Sequence, residues 1–411
     1  MGAATDLRLL FATRALRLFA YGVGSVVLVL HLAAAGVGEA RIGLLLTLTL
    51  LGDVAVSLAI TTRADRAGRR RMLALGGGLV AAAGAAFATT TSFPILAAAA
   101  FVGVLSPSGN EVGPFLPIEQ AALAQELPPE RRTAAFAWYQ LTGSLATAVG
   151  ALAGGAGAQA LQHAGVPALR SYQLLFAGYA AVGLALSLLA ARLSPAVEAP
   201  PRDEGAAPLA LGLHRSRGVV LRLSGLFAVD AFAGGFVVQS FVAWWFHQRF
   251  GVGPAVLGAI FFGANLLAGV SALSAAAFAR RFGLVNTMVF THLPSNLLLI
   301  AVPFAPTLPL AVGILLLRFS ISQMDVPTRQ SYTMAVVAPD ERAAAAGTTG
   351  IARTVGAALA PLVAAPLYAS AALAWAPFAV AGGLKVLYDF ALWRAFRKLP
   401  AEGERAGPAA S

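Results

Sequence analysis

Three carboxylates stand inside stretches that are otherwise apolar: Glu111 in "SPSGNEVGPF" (106–115), Asp230 in "FAVDAFAGGF" (227–236) and Asp325 in "RFSISQMDVPTRQSY" (318–332). Asn110, Arg318 and Gln323 stand beside them. A charge in hydrocarbon costs on the order of 2.5–3.5 kcal/mol on insertion scales, so such side chains face a protein interior or a water-filled cavity and are functional by default. A carboxylate whose access alternates between two sides can take a proton from one and release it to the other. Other chemistries lack their residues. With no cysteine, disulfides, thiolate metal sites and cysteine nucleophiles are excluded. The chain has no Gly-rich loop ending in Lys-Ser or Lys-Thr, no His-Glu-x-x-His and no nucleophile elbow. Asn110 and Glu111 with Asp325 form the nearest approach to a catalytic cluster, and they bring neither a metal set nor a nucleophile. No cofactor, metal or enzymatic activity is expected.

The elements that hold these residues follow from composition. Of 411 residues, 58% are hydrophobic and 11% charged, against roughly 25% charged in soluble chains. This is a polytopic membrane protein surrounded by lipid. The formal net charge of +11 would suggest nucleic acid in a soluble protein; here basic residues gather in cytoplasmic loops, and no nucleic-acid partner is expected. The N-terminus sets Arg8, Arg14 and Arg17 ahead of an apolar run too long for a signal-peptide core, which reads as a retained first helix. Spans are expected near 15–35, 42–62, 72–91, 94–117, 133–155, 171–193, 221–246, 255–279, 285–305, 308–332, 344–367 and 372–395, each long enough for roughly 30 Å of hydrocarbon. One side receives Arg63 to Arg71, Arg131, Arg132, Arg192, Arg202, Arg215, Arg217, Arg280, Arg281, Arg342, Arg394, Arg397 and Lys398, while the other keeps Arg41, Arg170 and Arg249. Both termini are therefore expected on the cytoplasmic side of a cell membrane.

The longest polar break, 194–220, reads as a cytoplasmic linker. It divides an N-terminal six-helix bundle (1–193) from a C-terminal one (221–399), with a disordered cytoplasmic tail at 400–411. The halves repeat. "QAALAQELPPERR" (120–132) aligns without a gap on "QSYTMAVVAPDER" (330–342), and the same shift brings Pro117 onto Pro327, Gln120 onto Gln330 and Arg132 onto Arg342. Parallel duplicated halves are a transporter signature.

At the end of the second span stands "TTRADRAGRRRML" (61–73). It is a tight helix–helix turn with Gly68 at the bend and arginines at the cytoplasmic face. It resembles the loop signature of the major facilitator superfamily, matched at Asp65, Arg66, Gly68, Arg69 and Arg70 and departing at Thr61, where the pattern opens with Gly. "ARRFG" (279–283) is a degraded second copy, and "GALAGG" (150–155) is similar to the family's antiporter motif with Ala151 in place of proline. The resemblance implies an all-α membrane protein of twelve helices in two pseudo-symmetric six-helix bundles that rock around a central site. It implies that helices 1, 4, 7 and 10 line the cavity, and that the loop motif is a cytoplasmic gate with Asp65 docking near Asp340 to Ala345.

The remaining intramembrane polar residues divide. Asp53 in "LGDVAV" is a proton site or the partner of a residue on helix 11, such as Arg353 in "GIARTV". Asp325 with Arg329 and Lys385 with Asp389 have i,i+4 spacing, which also suits structural pairs. Arg329 and Gln330 read as lying at the cytoplasmic mouth, and His31 and His292 as hydrogen-bonded packing histidines. The expectation is a secondary transporter of a small-molecule substrate, acting as a monomer and coupled to protons at Glu111 or Asp230, with export by antiport preferred. A proton-coupled importer or uniporter is the runner-up, and a non-transporting membrane receptor or scaffold the rival from another class.

Overall fold

The structure is a computed structural model that describes residues 3–127, 129–198, 215–337 and 341–397. The tail at 400–411, Asp340, most of the expected linker, and the side chains of Asp65, Arg131, Arg132 and Arg342 lie outside the described residues. The fold is all-α, with no strand among the described residues. The helices are α1 (Ala3–Ala34), α2 (Glu39–Ala67), α3 (Arg69–Thr89), α4 (Phe93–Val102), α5 (Phe115–Glu126), α6 (Pro129–His163) and α7 (Ala168–Ala191). They continue with α8 (Arg217–Gly235), α9 (Gln239–Phe250), α10 (Pro254–Phe282), α11 (Leu284–Ala301), α12 (Leu308–Ile321), α13 (Asp325–Ala335), α14 (Arg342–Ala369) and α15 (Ala376–Phe396). Ten stretches among the described residues are long and apolar enough to cross a bilayer. The expected fourth crossing is divided between α4 and α5, and the expected twelfth, α15, carries Lys385, Asp389 and Arg394. Those two account for the difference from twelve.

Several expected spans change where the local chemistry dictates. The first helix begins at Ala3 rather than near residue 15, so Arg8, Arg14 and Arg17 lie inside it. Helix 4 is interrupted from 103 to 114, where Gly109 (φ +72°) and Gly113 (φ +85°) hold left-handed backbone and Pro107 and Pro114 deny the helical ladder two donors. Helix 7 breaks after the Gly234–Gly235 pair, between α8 and α9. Helix 10 breaks over 322–324, and Pro327 falls in the first turn of α13, where its missing N–H costs least.

Two compact units result. The first holds α1–α7, α9 and α10 as far as Leu266; the second holds α8, the rest of α10 and α11–α15. In the first, α1 packs on α6 and α7, α3 on α7 and α9 on α1. The "GALAGG" glycines make the α1–α6 seam: a Cβ on Gly150 would strike the Phe19 backbone, and one on Gly154 would come within 2.9 Å of Val23 Cα. In the second, α8 packs on α14 and α15 and α11 on α12, α13 and α15. Its apolar core gathers Leu223, Phe227, Met288, Tyr332, Tyr388, Leu392 and Phe396.

Candidate functional site

The first unit buries a charge cluster beneath the break in helix 4. Arg14 and Arg17, one turn apart on α1, are 1% and 0% exposed. Arg14 Nη1 donates to Glu111 Oε2 at 2.7 Å, its Nε to the Tyr139 carbonyl at 2.7 Å and its Nη2 to Gln140 Oε1 at 2.8 Å. Arg17 Nε reaches Glu111 Oε1 at 2.9 Å, and its two terminal nitrogens form a fork on Glu119 at 2.7 Å each. Thr13 and Tyr139 hydroxyls also donate to Glu119. The guanidinium of Arg14 lies over the Tyr139 ring and that of Arg17 over Phe115, both at 4.4 Å. Two cations face two carboxylates: Arg17 and Glu119 form a two-bond fork, and Glu111 bridges Arg14 and Arg17. Asn110 does not join: its side chain is exposed, and its backbone carbonyl accepts from Ser106 Oγ.

The 103–114 stretch is pinned on several sides. Tyr21, Tyr179 and Thr147 hydroxyls donate to the carbonyls of Val112, Val104 and Gly109, and the Ser240 amide and hydroxyl both donate to the Pro107 carbonyl. Asp53 on α2 completes it, accepting from the Gly113 amide at 2.5 Å and from Ser57 Oγ at 3.1 Å on the same Oδ1. No cation pairs with Asp53 among the described residues.

The second unit centres on Asp230 of α8, 3% exposed. Lys385 Nζ reaches its Oδ1 at 2.6 Å, and Arg329 Nη1 and Arg353 Nη1 each reach its Oδ2 at 3.3 Å. Arg329 also bonds Asp325 at 2.9 Å. The expected i,i+4 pair of Asp325 and Arg329 therefore forms. Arg329, however, is 6% exposed, inside the bundle and not at an open mouth. Lys385 and Asp389 do not pair with each other. Lys385 goes to Asp230, and Asp389 accepts from His292 Nδ1 at 2.8 Å and Asn296 Nδ2 at 3.0 Å. His292 Nε2 stands 3.9 Å from Asp230 Oδ1, bridging the two acids. Gln323 donates its backbone N–H to Ser271 Oγ. Arg318 lies with its guanidinium 4.9 Å from the Phe319 ring centroid, and its Nε is buried with no hydrogen-bond partner. Neither ring nitrogen of the fully buried His31 has a partner either; its ring packs on Phe87 and Phe176.

At the loop motif, Gly68 takes φ +101° at the bend. The α3 N-terminus is capped by Glu198, which accepts from the Arg69 amide at 2.5 Å and the Arg70 amide at 3.4 Å. Arg69 Nη1 donates to Gln125 Oε1 and the Val197 carbonyl, and Arg70 Nη2 to the Ala191 carbonyl. Arg66 is exposed. Arg66, Gly68, Arg70, Arg71 and Glu198 line a recess of about 620 Å³.

Sequence reasoning singled out Glu111, Asp230, Asp325, Arg353 and Lys385, and passed over Arg14, Arg17, Glu119, Tyr139 and Gln140. A signal existed, because the repeat shift that aligns Gln120 with Gln330 also aligns Glu119 with Arg329.

Residues 10–361 match the family model of the Major Facilitator Superfamily. An uncharacterized membrane protein of Saccharomyces cerevisiae, YJR124C, is 31% identical over 420 residues, covering 95% of this chain and 94% of the relative. Among solved structures, a bacterial homologue of the human lysosomal transporter Spinster, inward-facing and occupied, superposes with a TM-score of 0.75 at 17% identity, covering 98% of both chains. A D-xylose–proton symporter gives 0.70 at 15% identity, covering 99% of this chain and 98% of that one.

Proposed function

The chain belongs to the Major Facilitator Superfamily and is a secondary transporter rather than an enzyme; we propose that it exchanges a small solute for protons by alternating access, as a monomer, with Asp53 carrying the proton. The single observation behind this reading is the state of the mid-span carboxylates. Glu111 and Glu119 hold Arg14 and Arg17, Asp325 holds Arg329, Asp230 holds three cations and Asp389 holds His292. Neutralising an acid that serves Arg14, Arg17, Arg329, Arg353 or Lys385 leaves buried cations with less counter-charge, which is destabilising, and a proton on Asp389 disturbs its bonds from His292 and Asn296. Glu111 and Asp230 therefore fit the exchanging role less well than Asp53, whose partners are one amide and one hydroxyl. A proton on Asp53 orphans no cation. It weakens the charge-assisted bond from Gly113 and so loosens the break in helix 4, which links protonation to the segment that also carries Glu111.

Export is the direction we favour, on the strength of the Gly150–Gly155 segment; the likeness to a proton symporter supports uptake as the second reading. The asymmetry of the arginines supports both termini on the cytoplasmic side of the cell membrane. In proteoliposomes with a trapped pH dye, a transported solute should drive proton movement in the parent protein. Asp53→Asn should lower that flux at least tenfold while solute exchange persists. Full proton coupling in Asp53→Asn would overturn the assignment.

A further inference from the structure

Arg318 and Ser322 lie four residues apart at the end of α12, on one helical face, because Ser322 still has helical backbone at the cap. Arg318 Nε and Ser322 Oγ are both buried, and neither has a hydrogen-bond partner. Buried polar groups in native proteins are nearly all partnered, so two orphans on one face require an explanation. The neighbours do not supply one. Asp325 is taken by Arg329, Asp389 by His292 and Asn296, and Asp230 by Lys385, Arg329 and Arg353. The next donor along the break, the Gln323 amide, is satisfied by Ser271 Oγ at 3.2 Å. Of the cations nearest these acids in sequence and space, Arg329, Arg353 and Lys385 are paired with carboxylates, whereas Arg318 has no carboxylate partner among the described residues. The Phe319 ring lies against the Arg318 guanidinium at 4.9 Å and takes none of its N–H donors in a hydrogen bond.

We propose that Arg318 and Ser322 form the binding site for an oxyanion group, a carboxylate or a phosphate ester, on the transported solute. The donors fit that chemistry: a planar fork that takes two oxygens and a hydroxyl one turn away. The position fits as well, since breaks in spanning helices are where transporters present polar groups to substrate. The bound anion supplies Arg318 with a counter-charge and satisfies both orphans together. The proposal rests on the chain being a transporter, and it is independent of how transport is coupled.

The test uses purified full-length protein in detergent. Thermal unfolding is followed with lactate, benzoate, inorganic phosphate and glycerol 3-phosphate, with choline and neutral sugars, and with chloride controls of equal ionic strength. A ligand of the folded state raises the midpoint. At least one carboxylate or phosphate compound should do so above its control, and the group that succeeds separates the two anion chemistries. Arg318→Gln should weaken that binding roughly a hundredfold and Ser322→Ala roughly tenfold, as expected for lost hydrogen bonds to a charged group. Ser322→Ala removes one oxygen and keeps the test informative if Arg318→Gln does not fold. Stabilisation by choline or sugars alone, by no solute at all, or by an anion equally in both variants would overturn the proposal. Intact anion binding in Asp53→Asn with unchanged proton flux would overturn the coupling assignment and leave this one standing.

Discussion

In the first unit the cations sit on the leading helix: Arg14 and Arg17 of α1 meet Glu111 and Glu119 on and before α5. In the second the signs are reversed: Asp230 of α8 meets Arg329 of α13, Arg353 of α14 and Lys385 of α15. The repeat alignment brings Glu119 onto Arg329, so one structural position carries opposite charges in the two halves. The wiring differs too. The first cluster is saturated, each carboxylate oxygen meeting guanidinium donors at 2.7–2.9 Å. The second asks one carboxylate to serve three cations at 2.6–3.3 Å and leaves Arg318 without an acid. A saturated network favours one arrangement and acts as a lock. A carboxylate contested by several cations can exchange partners, and a spare cation can accept a ligand.

If the first cluster is a lock, breaking it should have the largest effect. Glu119→Ala removes both acceptors of the Arg17 fork and the partner of the Tyr139 hydroxyl. Arg17 then keeps only the Glu111 carboxylate that it shares with Arg14, and the buried positive charge left uncompensated should cost about 3–5 kcal/mol, read as a lower midpoint in equilibrium unfolding in mixed micelles. Replacing the whole pair, Arg17→Met with Glu119→Met, should recover most of the loss, because two apolar side chains of similar volume remove the desolvation cost together. A mild effect in the single variant, or no recovery in the double, would erase the contrast between the units.

The same comparison shows what the sequence discloses. Asp230 and Arg353 are visible because each is a lone charge in an apolar run, and Asp325 because it stands with Arg318 and Arg329 in a span that is otherwise apolar. The helix breaks are foreshadowed by Pro107, Pro114 and the Gly234–Gly235 pair. Arg14 and Arg17 were hidden by their position: near an N-terminus, arginines read as topology signals, and only a helix that starts at Ala3 carries them into the interior. Their partners, Glu111 for both and Glu119 for Arg17, lie about a hundred residues away, and no local periodicity records a contact at that distance. Lys385 and Asp389 show the opposite failure. Their spacing suggested a pair, but α8 and α11 offer better-placed partners from outside the helix, and tertiary packing overrode the local rule.

If the second cluster is redundant, single losses there should be milder. Lys385→Met leaves Asp230 with Arg329 and Arg353, so it should cost roughly 1.5–3 kcal/mol, the range for one hydrogen bond to a charged group. A loss as large as that of Glu119→Ala would mean that Lys385 alone neutralises Asp230 and that the arginines at 3.3 Å contribute little.

The smallest effects should come where the units agree. Each uses a glutamate from another segment at the start of a helix. Glu198 accepts from the amides of Arg69 and Arg70 at the head of α3. Glu341 accepts from those of Arg215 at 2.7 Å and Ser216 at 2.8 Å just ahead of α8. Each satisfies amides that have no intrahelical acceptor and sets a negative charge against the positive end of the helix. Removing such a cap costs about 0.5–2 kcal/mol, so Glu198→Ala and Glu341→Ala should lower the unfolding midpoint slightly and by similar amounts. The charge clusters predict unequal responses from the two halves, whereas the caps predict equal ones. A large loss in only one cap variant would show that the carboxylate does more than finish a helix, and hydrogen exchange at the Arg69 and Ser216 amides would locate the region that opens.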